Sequence, residues 1–402
     1  MDASLTVARA RTTRVPALVL GSDITALGVI RCLGRAGILT YCASRDLGLV
    51  ALSRWCRRTP QRLDRNADLG AYLERLPFER AVLFACSDDW VLAIASLDEA
   101  LARRFPSSQA SRATLEALVD KRRLSEILCR HDVPYPRTIK LQSADDLAAL
   151  THEQLAASFL KPCDSQAFSA RYRVKAFSIA SRGEALARFR QAAEDGFEVV
   201  LQESVPGPPT NHYFIDGFVD RKGQICARFA RQRLRMHPMR FGNSTLMTTV
   251  PLERLGPALA NIERLIAALK YRGVFSAEFK YDDRDRTFKL LEMNVRPWWY
   301  VEFAALCGVD VCAMAYRDAL GEEVHPVDRY EIGARCVHPR IDLITSLRLM
   351  RRGELRPGAM LASWKGARQA VFCRDDPLPA LGDLAFRAGK WLGGLRIAGE
   401  RD

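Results

Sequence analysis

Short apolar runs alternate with helix-like segments over the first part of the chain. The runs ALVLG (17–21), GILTYCAS (37–44) and AVLFACSDD (81–89) have the length and composition of buried strands. Strands that alternate with helices indicate a parallel sheet covered by helices. Residues 1–113 are therefore predicted to form an α/β domain.

The pattern changes from residue 114 onward. An amphipathic helix opens at Asp120, and the later segments SFLKP (158–162), EVVLQES (198–204) and QICARFARQRLR (224–235) are typical of strands. A second unit is therefore predicted to start near Thr114. Beyond residue 327 the pattern becomes less regular and richer in arginine.

In residues 274–296, two short strands flank the charged turn DDRDR. The first strand alternates apolar and polar residues with the period of a half-buried strand. If the turn centres near Asp285, antiparallel pairing sets Glu278 opposite Glu292, with Asn294 on the same face. Facing carboxylates repel each other unless something positive lies between them. Oxygen ligands suit a hard cation such as Mg²⁺, and a surface hairpin with solvated charges is the alternative.

Arg296 has the same strand parity as Glu292 and is followed by Pro297, Trp298 and Trp299. A cation site, a guanidinium group and a bulky wall together indicate a site that handles phosphate groups. Packing is the alternative role for the two tryptophans.

Arginines also recur at period two in the strand segment 224–235. Arg231, Arg233 and Arg235 are expected to share one strand face. A row of like charges is costly unless anions meet it, so this face is a candidate for phosphate or carboxylate binding. A solvated edge strand is the alternative.

The composition limits the function classes. A net charge of +13 raises nucleic acid or a membrane surface as partners, but no block of five Lys/Arg residues occurs and nucleic-acid binding is disfavoured. Anionic small-molecule substrates explain a positive cleft equally well. The 11 cysteines include no CxxC pair, which favours a reducing compartment and predicts a cytoplasmic protein. No run approaches the ~18 apolar residues of a membrane span.

The turn from Gly21 to Gly28 follows the first predicted strand but lacks a GxGxxG motif. A dinucleotide site there, and with it a Rossmann-type oxidoreductase, is therefore a weak alternative to a structural turn.

Four motifs in order resemble the ATP-grasp superfamily of carboxylate–amine ligases over residues 15–325. They are DK followed by PYPRT, then LKP, LQESVPG and AEF…LEMNVRP. The last motif, with VEFAALCGVDVCAMAYRDALGE after it, is similar to the subgroup that contains D-aspartate ligase.

The resemblance implies a fold and a domain order. It implies an α/β (α+β) ATP-grasp fold in which a Rossmann-like pre-ATP-grasp domain (1–113) precedes an ATP-grasp domain (114–326). Two lobes, 114–197 and 198–326, would clasp ATP, and residues 327–402 would form a C-terminal basic extension.

The resemblance also implies the site residues and the cofactors ATP and Mg²⁺. Lys121 would reach the nucleotide phosphates, and Lys161 would lie near adenine and the α-phosphate. The interlobe hinge would hold adenine, the acidic hairpin would hold Mg²⁺, and arginines would meet the transferring phosphoryl group. The hinge residues are Gln202, Glu203, Ser204 and Val205. The Mg²⁺ ligands are Glu278, Glu292 and Asn294, and the arginines are Arg296, Arg233 and Arg235.

The chain departs from the family pattern after Lys161. The loop Cys163–Ala170 lacks the glycines that many ATP-grasp lids use for close approach to phosphates. Ser165 is a candidate substitute, whereas Phe168 is unusual at a lid tip. No residue is assigned to the ribose.

The implied reaction is the formation of an amide from a small-molecule carboxylate and an amine, through an acyl phosphate, with release of ADP and phosphate. The alternatives are an ATP-binding regulatory protein without catalysis, and a different acceptor chemistry such as carboxylation. The segment 381–397 is amphipathic and basic, so peripheral membrane contact competes there with packing against the body or a second subunit. A homodimer is compatible with the sequence.

Overall fold

The computed structural model describes residues 15–44, 46–64, 67–163 and 165–384, with the side chains of Ser165 and Gln166 left out. Among these residues, no helix is long and apolar enough to cross a membrane. Most of the predicted segment 381–397 lies outside the described residues.

The N-terminal domain has the predicted parallel sheet, in the strand order β3-β2-β1-β4. Its strands and helices are β1 (Ala17–Leu20), α1 (Ile24–Arg35), β2 (Thr40–Ala43), β3 (Cys56–Arg58), α2 (Leu69–Glu74), β4 (Val82–Ala85), α3 (Asp88–Ala95) and α4 (Glu99–Arg104), followed by α5 (Arg112–Val119) and α6 (Lys121–Arg130). All four residues of β1 and of β4 are buried, as a sheet covered on both faces requires. The prediction of an α/β domain at the start of the chain is confirmed.

A small lobe follows, built on the antiparallel sheet β5-β8-β6-β7. Its elements are β5 (Thr138–Lys140), α7 (Ala144–Ala148), α8 (His152–Ala156), β6 (Ser158–Pro162), α9 (Ser165–Tyr172), β7 (Phe177–Ser178), α10 (Arg182–Glu194) and β8 (Val199–Glu203). The lobe boundary predicted between residues 197 and 198 is wrong, because β8 pairs with β5 and β6 and so belongs to this lobe. The lobe has a hydrophobic core of its own.

The large lobe is a seven-stranded sheet in the order β13-β12-β9-β10-β11-β14-β15. Its first elements are β9 (His212–Val219), β10 (Ile225–His237), β11 (Asn243–Thr249), α11 (Gly256–Ala268), β12 (Gly273–Asp282), β13 (Thr287–Asn294), α12 (Val301–Leu306) and α13 (Val311–Ala319). Short 3₁₀ turns cover Gly48–Leu52, Pro209–Asn211 and Leu252–Leu255. Two hydrophobic clusters run continuously from the N-terminal domain into this lobe.

The predicted C-terminal extension is partly a component of the large lobe. It supplies β14 (Arg335–Val337), α14 (Pro339–Arg351), α15 (Pro357–Trp364) and β15 (Arg368–Gln369). Strand β14 pairs with β11 and β15 pairs with β14, so these short strands complete the sheet edge. The N-terminal domain and the large lobe thus share cores, whereas the small lobe packs as a separate hydrophobic unit.

Candidate active site

A cleft of about 1500 Å³ opens between the small lobe, the large lobe and the N-terminal domain. The small lobe lines it with Lys161 and Gln202, the large lobe with Glu278 and Glu292, and the N-terminal domain with Asp88. All three parts of the chain therefore contribute polar side chains to one cavity.

The predicted carboxylate pair lies in the middle of this cleft. In the β12–β13 hairpin, Glu278 is directly opposite Glu292 and Ser276 is opposite Asn294, which confirms the predicted register. Oε1 of Glu278 accepts hydrogen bonds from Arg233, at 3.0 Å, and lies 2.8 Å from Nδ1 of His212. Oε2 of Glu292 lies 3.7 Å from the ammonium nitrogen of Lys121.

Both carboxylates are held in their ionised form. Burial alone would raise the pKa of Glu278, but Arg233 and His212 lower that pKa well below its usual range. Burial also opposes ionisation of Glu292, and Lys121 and Lys161 lower its pKa. Two charged carboxylates that face each other on neighbouring strands form an all-oxygen donor set, which fits Mg²⁺.

Asn294 reaches the same pair. Its amide nitrogen donates to Oε1 of Glu292 at 3.1 Å, and its oxygen accepts from Arg296 at 3.4 Å. Because the oxygen and nitrogen of an amide are assigned from their partners, a half-turn of the group would aim the oxygen at the carboxylates. The structure thus brings Asn294 to the predicted position.

Two of the cleft lysines were predicted from the sequence. Asp120 caps helix α6 by accepting from the amides of Arg122 and Arg123, which places Lys121 at the first turn and beside Glu292. Lys161 extends from β6 and donates to Oε1 of Gln202 at 3.2 Å and to the carbonyl of Leu291 at 3.4 Å. Burial, assisted by the neighbouring charge of Lys121, lowers the pKa of Lys161 to about 8.

This lowered pKa predicts a proton linkage. An anionic phosphate would favour the charged ammonium and raise its pKa, so we expect proton uptake when ATP binds near pH 8. Above that pH, ATP affinity should fall as the free amine becomes neutral. Isothermal titration calorimetry in two buffers of different ionisation enthalpy measures the uptake, and Lys161→Met should remove it. Equal proton uptake in the wild type and the variant would exclude Lys161 as the titrating group.

Lys175 is a third cleft lysine, and the sequence reasoning missed it. It follows helix α9 in the small lobe, and its ammonium donates to the side-chain oxygen of Asn243 in the large lobe. Burial lowers its pKa. Nothing in the segment RYRVKAF distinguishes this lysine from a solvated one, because its position depends on how the two lobes meet.

The predicted hinge residues Gln202, Glu203, Ser204 and Val205 all line the cleft. Gln202 connects Lys161 to Thr138, to which its amide donates at 3.1 Å. The carboxylate of Glu203 accepts from Arg284 and from the backbone of Arg137. Gln202 and Glu203 therefore shape this end of the cleft through contacts with neighbouring residues.

The three arginines of β10 do not share one face, and the prediction is wrong for Arg235. Arg231 and Arg233 line the cleft, but the pairing of β10 with β11 shifts register between Arg233 and Arg235. This irregularity directs Arg235 to the buried carboxylate of Asp342, 2.6 Å away on helix α14. A β-bulge breaks the alternation on which the prediction depended.

Arg235 is consequently expected to act on stability. Replacing Arg235 with methionine leaves Asp342 buried without its charge partner, which costs about 3 kcal/mol of the free energy of unfolding. ATP affinity should be unchanged. Chemical denaturation measures the loss, and adding Asp342→Leu should restore part of it. If the variant keeps wild-type stability but no longer binds ATP, Arg235 acts in nucleotide binding and not in stability.

Arg231, which the prediction did not select as a site residue, lines the cleft. Its guanidinium lies 3.8 Å above the ring of Phe214 and binds Asp216 at 2.6 Å. Arg233 donates to Ser244 at 2.9 Å as well as to Glu278. The cleft therefore contains two adjacent guanidinium groups, each partly neutralised by a carboxylate.

Arg296 lies where the large lobe meets the N-terminal domain. It donates to Oδ1 of Asp88 at 2.8 Å and to the oxygen of Asn294 at 3.4 Å. Asp88, like Asp23, was missed as a site residue. Both follow neighbouring parallel strands, β4 and β1, and such positions meet at the same sheet edge. That rule could have identified them from sequence.

The expected glycine-poor lid loop is largely a helix in the structure. Helix α9 (Ser165–Tyr172) begins at Ser165, whose side chain lies outside the described part of the chain. Phe168 is fully buried, and its ring lies 4.6 Å from Tyr172 and 4.8 Å from Phe177. Phe168 thus belongs to the small-lobe core, which explains an aromatic residue at that position.

The aromatic residues after Arg296 have packing roles that extend to the cleft. Trp298 and Tyr300 are buried in a core cluster and also line the cavity, and Tyr300 donates its hydroxyl to the carbonyl of Ser244. Trp299 is partly buried and lines the cavity as well. This aromatic group forms the wall beside Arg231.

Comparisons with known proteins agree with this architecture. The chain is 24% identical to the D-aspartate ligase of Enterococcus faecium (strain Aus0004) over 321 residues. The aligned region covers 75% of this chain and 76% of that protein. No family model matches the chain.

Two solved structures illustrate the likeness in fold. Carboxyaminoimidazole ribonucleotide synthase from Aspergillus clavatus, complexed with ATP, is 15% identical with a TM-score of 0.60 and covers 80% of each chain. L-amino acid ligase from Bacillus licheniformis is 14% identical with a TM-score of 0.57 and covers 78% of each chain. The predicted resemblance is thereby confirmed at the level of architecture, and the chain has the ATP-grasp fold.

Proposed function

We propose that the protein is an ATP-dependent carboxylate–amine ligase that forms an amide through an acyl phosphate and releases ADP and phosphate. The observation that carries this proposal is the Glu278–Glu292 pair, which faces a cleft lined by Lys121, Lys161 and Arg233. Two relatives are named a D-aspartate ligase and an L-amino acid ligase, and these names support a ligase that acts on an amino acid.

The positions of the charged side chains in the cleft support an orientation for the bound nucleotide. Lys161 donates to the hinge residue Gln202, and Lys121 lies beside Glu292, so that the nucleotide would enter beside the hinge with its phosphates toward Glu278 and Glu292. Mg²⁺ held by these two glutamates and Asn294 would neutralise the phosphates during transfer. Arg233 donates to Glu278 and Arg296 donates to Asn294, so both would lie beside the phosphates.

The chemistry requires activation of a poor electrophile. A substrate carboxylate would attack the γ-phosphate, and the bond from that phosphate to the β-phosphate oxygen would break, which yields an acyl phosphate and ADP. An amine then adds to the acyl carbon and expels phosphate. The arginines would hold the carboxylate and spread the developing negative charge, so the protein contributes mainly positioning and electrostatics.

Two other functions remain as alternatives. The helical segment Ser165–Tyr172, in place of a glycine-rich loop, motivates ATP binding without turnover. Carboxylation of an amine would use the same nucleotide site with bicarbonate as the carboxylate.

ADP release by the purified protein distinguishes these functions. With ATP, Mg²⁺ and a pool of amino acids and small carboxylates, we expect ADP that does not depend on bicarbonate. ADP that appears only with bicarbonate would replace the ligase proposal by carboxylation. Tight ATP binding without ADP in any mixture would favour a regulatory protein, and AMP with pyrophosphate would contradict the acyl-phosphate route.

A further inference from the structure

Helix α14 has the opposite polarity to that of an ordinary surface helix. Its buried residues are Asp342, Thr345 and Ser346, all at most 1% exposed. Its apolar residues Leu343 and Leu347 are 42% and 46% exposed, and Ile341, Leu349 and Met350 are half-buried. A surface helix normally turns its apolar stripe toward the core. The polarity of α14 indicates that its outward face meets something other than water.

The buried side of α14 explains how such a helix is held in place. Asp342 accepts hydrogen bonds from Arg235, from Thr245 at 2.7 Å and from the indole nitrogen of Trp364 at 2.7 Å. Thr345 donates to the carbonyl of Met236 at 3.3 Å. A satisfied polar network therefore fixes the helix, and its apolar side chains are not needed for anchoring.

The outward face combines three apolar side chains with arginines. Its residues fall at helical spacings of three, four, seven, eight and eleven, which places them on one side of the helix. We call this the outward face of α14; it consists of Arg340, Leu343, Ile344, Leu347, Arg348 and Arg351, and Ile344 is 37% exposed. The single acidic residue of the helix is Asp342, and it is buried.

We propose that the outward face of α14 docks on an anionic lipid surface. Leucine and isoleucine would enter the boundary between headgroups and acyl chains, and the arginine stems would lie along it with their guanidinium groups at the phosphates. Each basic group near a negatively charged leaflet strengthens the attraction. Arg352, exposed just beyond the helix, adds to the same charge.

The charge of this face argues against occupants from the same protein. A symmetric contact with a second copy would set arginines against arginines. Residues 1–14 and 385–402 each contain more basic than acidic residues, so that either segment would meet like charge on α14.

The position of α14 gives the docking a consequence for the cleft. Met236, to which Thr345 donates, lines the cleft, and so does the following segment through Met239 and Phe241. The outward face is about one helix diameter, ~10 Å, from this wall. A docked molecule would thus hold one rim of its cleft close to the lipid surface.

Vesicle co-sedimentation of the full-length protein tests the proposal. We expect binding to phosphatidylcholine vesicles that contain phosphatidylglycerol, weaker binding at high salt, and little binding to phosphatidylcholine alone. The double variant Leu343→Gln/Leu347→Gln should bind about tenfold more weakly, because two apolar contacts are lost. Its melting temperature should match that of the wild type.

The matched control is Leu39→Gln/Leu52→Gln, which changes two leucines of the N-terminal domain that are 38% and 41% exposed. This control should bind like the wild type. The proposal is overturned if the wild type does not bind anionic vesicles, or if the control loses binding while the α14 variant retains it. Sedimentation as a dimer that the α14 variant dissolves would assign the face to a second copy instead.

Discussion

Replacing Glu292 with glutamine is expected to lower ADP formation by about a thousandfold or more while the protein stays folded. The substitution removes the negative charge that faces Glu278 and lies 3.7 Å from Lys121. The donor set then has one carboxylate in place of two, and the lysines lose their counter-charge. The side chain of Glu292 is 31% exposed, and glutamine has the same shape, so the core is not disturbed.

ADP formation and thermal unfolding are measured in parallel for this variant. Asp285→Asn is the matched control, because Asp285 lies at the turn of the same hairpin, 47% exposed and outside the cleft. The control should turn over like the wild type. Wild-type turnover by Glu292→Gln would eliminate the assignment of the hairpin as the metal site.

Replacing Arg296 with glutamine is expected to reduce kcat by about a hundredfold to a thousandfold, with little change in ATP affinity. Arg296 is held by Asp88 and by Asn294, one of the proposed metal ligands. A guanidinium at that position would meet the phosphoryl group as its charge develops, and it would contribute less to the bound nucleotide. The effect should therefore fall on the chemical step.

Single-turnover ADP formation and equilibrium ATP binding separate the two contributions. Arg254→Gln provides the control, since Arg254 is exposed and lies against Tyr213 beside the smaller cavity. If a loss of ATP binding accounts for the whole effect of Arg296→Gln, Arg296 contributes to nucleotide binding and not to the chemical step.

The part of the site that the sequence predicted best is the acidic hairpin. The pairing of Glu278 with Glu292 was predicted from the alternation along β12 and a turn centred near Asp285. The pairs next to the turn are offset by one residue, and an irregularity between Glu278 and Phe279 restores the predicted pairing. Lys121 and Lys161 both line the cleft, and a capped helix start and an apolar strand define their positions.

Features that depend on contacts between distant segments were missed. The irregularity that turns Arg235 to Asp342 arises in the pairing of β10 with β11, and alternation cannot reveal it. Phe168 was read as a lid residue because its partners, Tyr172 and Phe177, are brought together only by the fold.

The C-terminal strands were missed for a related reason. Strands β14 and β15 are only three and two residues long, which is too short for a periodic pattern. Arg31 of α1 also binds Asp376, at 2.9 Å, and this buried ion pair joins the start of the chain to its C-terminal region. Sequence position gave no indication of that contact.

The central claim is that this cleft converts a carboxylate to an acyl phosphate at the expense of ATP. Its most direct test is a reaction of the purified protein with Mg²⁺, ATP, a pool of amino acids and small carboxylates, and hydroxylamine as the trapping amine. We expect the wild type to form equal amounts of ADP and a hydroxamate, and Glu292→Gln to form neither. The identity of the hydroxamate would show which carboxylate reacts. ADP without hydroxamate, or a hydroxamate accompanied by AMP, would contradict the central claim.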